Sequence, residues 1–330
     1  MFQPRIRLQH PLRLQPWLTF GLLIVALVAV PLHADAQTQD GAAQSNVPYH
    51  LSVSVNEVSL TFHAAGAHGL PIRDLRLVEL RILDNGAPPR RIVSFQSMEN
   101  FPIRAGILMD TSESMEGYRA RNRAISIEYA QRLLRQHTDQ AFVMNFDSQS
   151  SVVQPWTSDA NALTAGVRRF MTDGSRHLSG TAIFDSIYRA CLNQFGKLDH
   201  GGSANFILLF SDGEDNASHA SVQDAIDTCQ RTNTAIYVVR AEPETSLSTG
   251  PKTLAELASK SGGRVFYDDE SDAGIYSDLQ IMEGNLRDQY RLIYQPAELK
   301  RDGSFHRIEL QAPERVDSIT IRAGYYAPSR

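Results

Sequence analysis

Carboxylate and hydroxyl side chains follow an apolar run near the middle of the sequence. Residues 105–109 read Ala-Gly-Ile-Leu-Met, and Asp110, Ser112 and Ser114 come directly after them. A short apolar run of this kind predicts a buried strand. Mg²⁺ prefers carboxylate, hydroxyl and water oxygens, whereas zinc prefers His and Cys ligands. The side chains that follow this strand therefore favour a hard divalent cation.

Two downstream segments have the same character. Gly180 and Thr181 precede a predicted helix, and the apolar run 206–211 leads into Asp212 and Gly213. In an open α/β sheet, loops at the carboxyl ends of neighbouring strands meet at one crevice. We therefore expect Thr181 and Asp212 to lie beside the first segment. Each glycine removes a side chain where two loops must approach closely.

These three segments resemble the metal-ion-dependent adhesion site (MIDAS) of von Willebrand factor type A domains. That family's pattern is Asp-x-Ser-x-Ser after the first strand, a Thr in a second loop and an Asp after the fourth strand. The resemblance covers residues 101–288 and implies bound Mg²⁺ or Mn²⁺, with Ca²⁺ less favoured. It implies that three hydroxyls bind the ion and that two aspartates bind it directly or through water. The implied metal ligands are Asp110, Ser112, Ser114, Thr181 and Asp212.

The resemblance also implies a way of binding a partner. With two carboxylates in the ligand set, the ion is close to neutral and keeps an oxygen position to fill. An Asp or Glu of a partner protein could fill it, as is usual in the family. The nearby acids Glu116, Glu214 and Asp215 could tune the affinity for the ion or be solvated loop acids. Arg176 and His177 could contact a partner carboxylate or be surface residues without a role.

Strands and helices alternate through residues 101–288, which predicts the α/β class with a doubly wound, mostly parallel six-stranded sheet. The predicted strands are 105–111, 140–147, 151–156, 204–211, 234–240 and 264–267. The predicted helices are 118–136, 182–195, 221–231, 252–259 and 275–287. Because proline cannot donate to a central ladder, Pro155 predicts that the third strand is an edge strand or a hairpin arm.

Short alternating segments on both sides of this region predict a small all-β domain. Residues 49–100 contain such strands before the α/β region, and residues 289–330 contain them after it. We expect the two sets to pair into one β-sandwich, with the α/β domain as an insertion; the alternative is two unrelated sheets. The segments 78–86 and 324–328 are similar to flanks of a bacterial group of secreted, von Willebrand A-related proteins.

The first 36 residues have the features of a secretory signal. Three Arg side chains precede a sixteen-residue apolar run at 17–32, and Ala34-Asp35-Ala36 is a small-x-small cleavage sequence. We predict cleavage after Ala36, a flexible linker at 37–48 and a secreted or periplasmic location. An uncleaved membrane anchor is the alternative, although the run is shorter than the roughly 20 residues that span a bilayer.

Charge and cysteine content limit the function further. The 330-residue chain has a formal net charge of −5, which becomes −7 without the leader because the leader holds three Arg and one Asp. Nucleic acid binding requires clustered cations, so we do not expect a chain of this net charge to bind nucleic acid. Cys191 and Cys229 are the two cysteines. They could pair in an oxidising compartment or remain two buried thiols.

Catalysis is the rival class of function. The sequence contains no Gly-x-Ser-x-Gly, His-Glu-x-x-His or Gly-x-x-x-x-Gly-Lys-Ser/Thr motif, so no recognisable catalytic motif supports an enzyme. A metal-dependent hydrolase stays an alternative, since sites are argued from geometry. A structural envelope protein with an empty site is the third possibility. We expect a protein that binds a divalent cation and, through it, an acidic partner.

Overall fold

The structure is a computed structural model that describes residues 56–135, 138–169, 180–198, 202–240, 248–266 and 272–328. The predicted signal peptide and linker lie outside the described residues. Arg176 and His177, in the predicted second loop, lie outside them as well. All described residues belong to one compact unit, Val53–Arg330.

The described strands and helices follow one another as the alternation in the sequence predicts. The strands are β1 (Val58–Ala65), β2 (Arg81–Asp84), β3 (Arg91–Met98), β4 (Ile103–Asp110), β5 (Gln140–Phe146), β6 (Ser150–Thr157), β7 (Ala204–Ser211), β8 (Thr234–Arg240), β9 (Val265–Phe266), β10 (Gln289–Gln295), β11 (Phe305–Gln311), β12 (Ser318–Ile321) and β13 (Gly324–Tyr326). The α-helices are α1 (Arg119–Leu133), α2 (Ala160–Arg169), α3 (Ile183–Asn193), α4 (Val222–Arg231), α5 (Gly250–Ser261) and α6 (Asp272–Arg287).

The strands of the α/β region form a six-stranded sheet in the order β6-β5-β4-β7-β8-β9. Neighbouring strands from β5 to β9 are parallel, and β6 runs antiparallel to β5. Every residue of β7 is buried, as expected for a central parallel strand covered on both faces. Strand β6 contains Pro155 and lies at the edge, where its missing N–H costs no ladder hydrogen bond. The predicted fold class is confirmed.

Helices cover both faces of this sheet, and a crevice lies at the carboxyl ends of its central strands. Helices α1, α2 and α6 pack on one face, and α3, α4 and α5 pack on the other. The chain passes from β4 outward to β5 and later returns to β7 on the other side of β4. In open α/β sheets, ligands bind at the carboxyl ends of the strands where the order reverses in this way. Asp110 ends β4 and Ser211 ends β7, so both residues lie at this crevice.

Helix α2 is absent from the sequence-based prediction. Its large buried apolar side chains are Leu163 and Val167, one turn apart, and so narrow a stripe is a weak periodic signal. A glycine inside a helix also lowers its propensity. Gly166 is needed here because a Cβ at that position would lie 2.5 Å from the Cβ of Gln154 in β6. Tertiary packing of α2 on β6 therefore overrides the local preference.

Two small antiparallel sheets form the β unit. One has the order β12-β1-β10-β3 and the other β13-β11-β2. Strand β1 pairs with β10 on one side and with β12 on the other. Side chains from both sheets, including Leu60, Ile82, Tyr294 and Ile308, share one buried cluster. Strands from before and after the α/β region thus form one β-sandwich, and this arrangement places the α/β region as an insertion. The exact domain limits stay a prediction.

A disulfide and a buried ion pair hold helices of the α/β region in place. Cys191 of α3 and Cys229 of α4 form the disulfide, with their Cα atoms 5.1 Å apart. Arg287, at the end of α6, donates to Asp139 at 2.8 Å, and the Asp139 side chain is fully buried. The pairing of the cysteines decides between the two possibilities that the sequence left open. Among the described helices, none is long and apolar enough to cross a membrane.

Candidate metal site

Three loops meet at the crevice between β4 and β7. The first loop, residues 111–118, follows β4 and contains a 3₁₀ helix at Glu113–Tyr118. The second loop, of which residues 180–182 are described, precedes α3. The third loop, residues 212–221, joins β7 to α4. Met115 is fully buried and anchors the 3₁₀ helix of the first loop against the core.

Asp110, Ser112 and Ser114 are joined by hydrogen bonds. The Oδ1 atom of Asp110 accepts from the backbone N of Ser112 at 2.9 Å and from its Oγ at 2.6 Å. The Oγ atoms of Ser112 and Ser114 lie 3.2 Å apart. Arg119 donates to the carbonyls of Thr111 and Ser112 at 2.8 and 3.2 Å and so holds the backbone of the loop. The first three predicted ligands therefore form one cluster of hard oxygen atoms.

The third loop reaches the same carboxylate. Ser211 Oγ donates to Asp110 Oδ2 at 2.7 Å, and the backbone N of Gly213 donates to Ser211 Oγ at 3.1 Å. Asp212 is buried, and its Oδ1 accepts from the backbone N of Glu214 at 3.0 Å. Burial raises the pKa of Asp110, and the charge of Asp212 adds a smaller increase. Asp212 thus lies within electrostatic range of the Asp110 cluster.

Ser211 is a residue of the site that the sequence analysis did not identify. Met109 pairs with Phe210 in the parallel register of β4 and β7, and this register places Asp110 beside Ser211. The pairing of β4 with β7 could not be read from local sequence. A serine at the end of an apolar run is otherwise an ordinary strand end.

Thr181 is attached to the third loop by its backbone. Its N donates to Asn216 Oδ1 at 2.8 Å, and its carbonyl accepts from the N atoms of Asn216 and Ala217, both at 3.0 Å. Gly180 has a φ of +103°, and a Cβ there would lie 3.0 Å from Asn216 Oδ1. This is the close approach for which a glycine was expected. These hydrogen bonds hold the second loop, at Thr181, against the third loop, which begins with Asp212.

Gly213 allows a second close approach on the other side of the third loop. Its φ is +89°, a conformation that side chains other than glycine rarely adopt. A Cβ at this position would lie 2.5 Å from the carbonyl oxygen of Gly250, at the start of α5. The third loop is therefore packed directly on α5.

Two of the neighbouring acids have structural partners. Glu214 accepts from Ser248 Oγ at 2.5 Å and from the N of Gly250 at 2.8 Å. The hydrogen bond from Ser248 has the largest effect, and both hold the pKa of Glu214 below its ordinary value. Asp215 accepts from the N of Phe184 at 3.0 Å, at the start of α3. Both carboxylates brace the loops, whereas Glu116 is exposed.

Burial dominates the electrostatics of Asp110. Its exposed fraction is 2%, and loss of hydration raises the pKa of its carboxyl to about 6. The hydrogen bonds from Ser112 and Ser211 act in the opposite direction, and the charge of Asp212 adds to the increase. A buried carboxylate that is disfavoured as an anion gains most from a nearby cation.

The donor set fits a hard divalent ion. The cluster consists of carboxylate and hydroxyl oxygens, which suit Mg²⁺, Mn²⁺ or Ca²⁺. Through the parts of the chain that the structure describes, no group of three or more His, Cys, Asp or Glu side chains could hold a metal. Ser112 and Ser114 would add hydroxyl oxygens to a metal site here, and Asp110 and Asp212 would add two carboxylates.

A comparison with known protein families identifies the α/β region. The model of the von Willebrand factor type A domain matches residues 106–280, more than half of the chain. The chain therefore belongs to the von Willebrand factor type A domain family, and the resemblance noted in the sequence is confirmed.

Solved structures with a similar fold are distant in sequence. BatB from Bacteroides thetaiotaomicron is 15% identical, with a TM-score of 0.43 over 55% of this chain and 97% of BatB. A von Willebrand factor type A protein from Catenulispora acidiphila is 13% identical, with a TM-score of 0.44 over 77% of this chain and 74% of that one. Proximal thread matrix protein 1 from the mussel byssus, with a zinc-occupied MIDAS motif, is 13% identical, with a TM-score of 0.46 over 63% of this chain and 50% of the mussel protein. No curated protein sequence matches this chain.

Proposed function

We propose that this protein binds a divalent cation at the crevice and uses the ion to bind an acidic side chain of a partner protein. The observation that carries the proposal is the hydrogen-bonded cluster of Asp110, Ser112 and Ser114, with Asp212 within electrostatic range. The proposed ligands are these four residues and Thr181. The proposed ion is Mg²⁺ or Mn²⁺, with Ca²⁺ less favoured, because hydroxyl and carboxylate oxygens are hard ligands.

The residues of the site have distinct roles in this proposal. Ser112 and Ser114 offer neutral hydroxyl oxygens, and Asp110 and Asp212 supply the negative charge. Ser211 orients the Asp110 carboxylate by its 2.7 Å hydrogen bond. Once bound, the ion would supply a Lewis-acidic centre that accepts one more oxygen ligand.

A carboxylate is the partner group that fits best. A hard dication prefers a charged oxygen to water when one is available. Ser114 is exposed, whereas Asp110 and Ser112 are buried, so the cluster opens toward solvent on the Ser114 side. A side chain of a partner could approach from that side.

The leader sequence supports a location outside the cytoplasm. Its Arg residues, apolar run and small-x-small sequence are those of a signal peptide. The Cys191–Cys229 disulfide suits the oxidising compartments in which such proteins fold. We propose a secreted or periplasmic protein, and an uncleaved anchor would keep the same site at a membrane surface.

Isothermal titration calorimetry with Mg²⁺ and Mn²⁺ tests the metal. We expect a one-site binding curve for the purified protein and no binding heat for the Asp110→Ala variant. Asp227→Asn is the matched control, because Asp227 is an acid of the same domain that pairs with Arg231 on the surface of α4. Identical heats for the unaltered protein and Asp110→Ala would refute the metal site.

Capture from an envelope extract tests the partner. The immobilised protein should retain a partner in Mg²⁺ and release it in EDTA, and the Asp110→Ala variant should retain none. Amidation of carboxyl groups in the extract should abolish capture, because the ion would lose its oxygen ligand. Capture that survives both EDTA and amidation would exclude recognition through the ion and an acidic side chain.

A further inference from the structure

A cleft of about 450 Å³ opens on the β-sandwich. One wall comes from the turn after β2, at Asn85 and Ala87, and the other from the segment 297–304 that joins β10 to β11. Asp84 and His306 also line the cleft and are only 6% and 5% exposed, so they form its floor. The described residues that line it all belong to the β unit. The cleft is therefore separate from the proposed metal site at the ends of β4 and β7.

Asp84 is the centre of a buried group of hydrogen bonds at this floor. Its Oδ1 lies 2.7 Å from Nδ1 of His306, and its Oδ2 accepts from the hydroxyls of Tyr294 and Tyr325, both at 2.8 Å. The four residues come from β2, β10, β11 and β13, and thus from both sheets of the sandwich. Burial raises the pKa of both tyrosines, so their hydroxyls are donors at neutral pH. The Asp84 carboxylate therefore accepts three hydrogen bonds.

These contacts fix the tautomer of His306. Because the Asp84 carboxylate accepts at Nδ1, that nitrogen carries the proton, and the neutral ring has its lone pair on Nε2. The two ring nitrogens point in different directions, so Nε2 is turned away from Asp84. Nε2 has no hydrogen-bond partner in the described structure, and unlike Nε2 of His63 it is not sealed from solvent. His306 therefore presents a fixed, unpartnered acceptor to the cleft that it lines.

The rim of the cleft has more negative than positive charge. Glu298 and Asp302 are exposed acids that line it, and Lys300 is the one lysine or arginine among its described lining residues. Asp302 Oδ1 accepts from the backbone N of Ser304 at 2.9 Å, which holds this carboxylate at the turn. With Asp84 of the floor, three carboxylates line the cleft beside one ammonium group. The cleft is therefore acceptor-rich and favours a cation.

A ligand that satisfies this cleft must carry positive charge and donate to Nε2 of His306. A primary ammonium has three N–H donors and no acceptor, so it meets both requirements. The negative charge of Asp84 behind the ring strengthens Nε2 as an acceptor. A metal ion fits less well, because within the described residues no group of three His, Cys, Asp or Glu side chains could hold one. An anion would meet an acceptor and two rim carboxylates.

We propose that this cleft binds a primary alkylammonium group, with one N–H donating to His306 Nε2 and the others to Glu298 and Asp302. The volume of about 450 Å³ has room for a chain of several carbon atoms behind the ammonium. Lys300 is exposed and can keep its own ammonium in solvent. Two sources offer this chemistry, free polyamines and the lysine side chains of proteins.

Isothermal titration calorimetry of the purified protein tests this site. EDTA in the buffer keeps divalent ions from the proposed metal site, so the result is independent of that site. We expect a one-site curve for n-butylammonium and no binding heat for 1-butanol, which has the same shape without the charge. A ligand of so few atoms binds weakly, so the titration extends to about 20 mM. Equal heats for the two compounds would overturn the proposal.

The rim carboxylates have a matched control on the same strand. Glu298→Gln combined with Asp302→Asn should weaken n-butylammonium binding about tenfold, because two partly exposed ion pairs are lost. Glu309→Gln should leave the affinity unchanged, since Glu309 is a 46% exposed acid of β11 that does not line the cleft. Unchanged affinity in the double variant would also overturn the proposal.

His306→Phe tests the acceptor at the floor. This variant should weaken n-butylammonium binding at least tenfold, because the ammonium loses its buried hydrogen-bond partner; full affinity would assign the ligand elsewhere and refute the site. If His306→Phe does not fold, a crystal structure of the unaltered protein with spermidine decides. An amine nitrogen within hydrogen-bond distance of Nε2 would support the site, and a cleft without spermidine would refute it.

Two further titrations distinguish the sources of the ammonium group. Spermidine represents a free polyamine, and Nα-acetyl-lysine methylamide represents a lysine side chain of a protein. Tighter binding of spermidine would support the ammonium site and assign a polyamine to it. Tighter binding of the lysine derivative would support the site and assign a protein side chain. Absence of binding for both compounds would refute the proposal.

Discussion

Replacement of Asp110 by Asn should stabilise the metal-free protein while it abolishes metal binding. Asp110 is buried, and the free energy of its ionised form is raised by lost hydration. Asn removes the charge and keeps the shape. The hydrogen bonds can also be kept, because Oδ1 still accepts from Ser112 and the new amide can donate to Ser211 Oγ. The charge is therefore the main difference between the two proteins.

The size of the effect follows from the pKa of Asp110. Burial raises this pKa from 3.8 to about 6, and one pKa unit corresponds to about 1.36 kcal/mol. Ionised Asp110 therefore costs about 3 kcal/mol of folding free energy above pH 6, an order-of-magnitude value. The folded state binds more protons than the unfolded state between pH 3.8 and 6, so this cost grows as pH rises through that window. Asn should recover the cost at pH 7 and gain little near pH 4.

Urea unfolding in EDTA at pH 7 and at pH 4 measures both parts of this prediction. We expect Asp110→Asn to be more stable at pH 7 by about 1 to 3 kcal/mol, with the difference shrinking toward pH 4. In Mg²⁺ at about 100 times its Kd, the unaltered protein should gain about 2.7 kcal/mol, and the variant should gain nothing. The reasoning is refuted if the variant is the less stable protein in EDTA at pH 7. Asp227→Asn is the control and should change little in either buffer.

Three further predictions follow from individual contacts. Ser211→Ala removes the donor to Asp110 Oδ2 and should weaken Mg²⁺ binding roughly tenfold in calorimetry; an unchanged affinity would show that Ser211 does not orient the carboxylate. Reduction of the fully buried Cys191–Cys229 disulfide, which closes a loop of 38 residues, should lower the free energy of unfolding by about 4 kcal/mol in the chain-entropy model. Equal urea midpoints with and without reductant would contradict that expectation. Arg287→Met leaves the fully buried carboxylate of Asp139 without this partner. The variant should lose about 3 to 5 kcal/mol of unfolding free energy in urea. A loss below about 1 kcal/mol would mean that Arg135 alone compensates the charge of Asp139.

The sequence was most informative where a local pattern and a chemical requirement coincide. Asp110, Ser112 and Ser114 are within five positions of one another, so one turn of the chain brings them together and spacing alone can identify them. The sequence could also suggest Thr181 and Asp212 as site residues. Thr181 follows a glycine at the start of a predicted helix, and Asp212 follows an apolar run at the end of a predicted strand. Ser211 was missed because its partner is 101 positions away. Only the register of β4 against β7 reveals that contact.

Several neighbouring residues changed meaning once their partners were known. From the sequence, Glu214 and Asp215 could tune the affinity for the ion or be solvated loop acids. In the structure, Glu214 accepts from a backbone N–H of α5, and Asp215 accepts from one of α3. The two cysteines could be paired or free until the packing of α3 on α4 set their Cα separation at 5.1 Å. Nothing local marked Arg322 as buried, because its side chain donates to a carbonyl of the α/β region at Gln230 and to one of the β-sandwich at Ser59.

The sequence by itself determined the α/β class, the alternation of strands and helices, and the side chains at the strand ends, because hydrophobic periodicity and residue chemistry are local properties. The tertiary structure alone decided which strands are neighbours, and therefore which distant oxygen atoms share the crevice and which charges are removed from water. Strand order and burial depend on contacts across more than a hundred residues, such as Ser211 with Asp110 and Arg322 with Ser59. No single segment of the chain encodes those contacts.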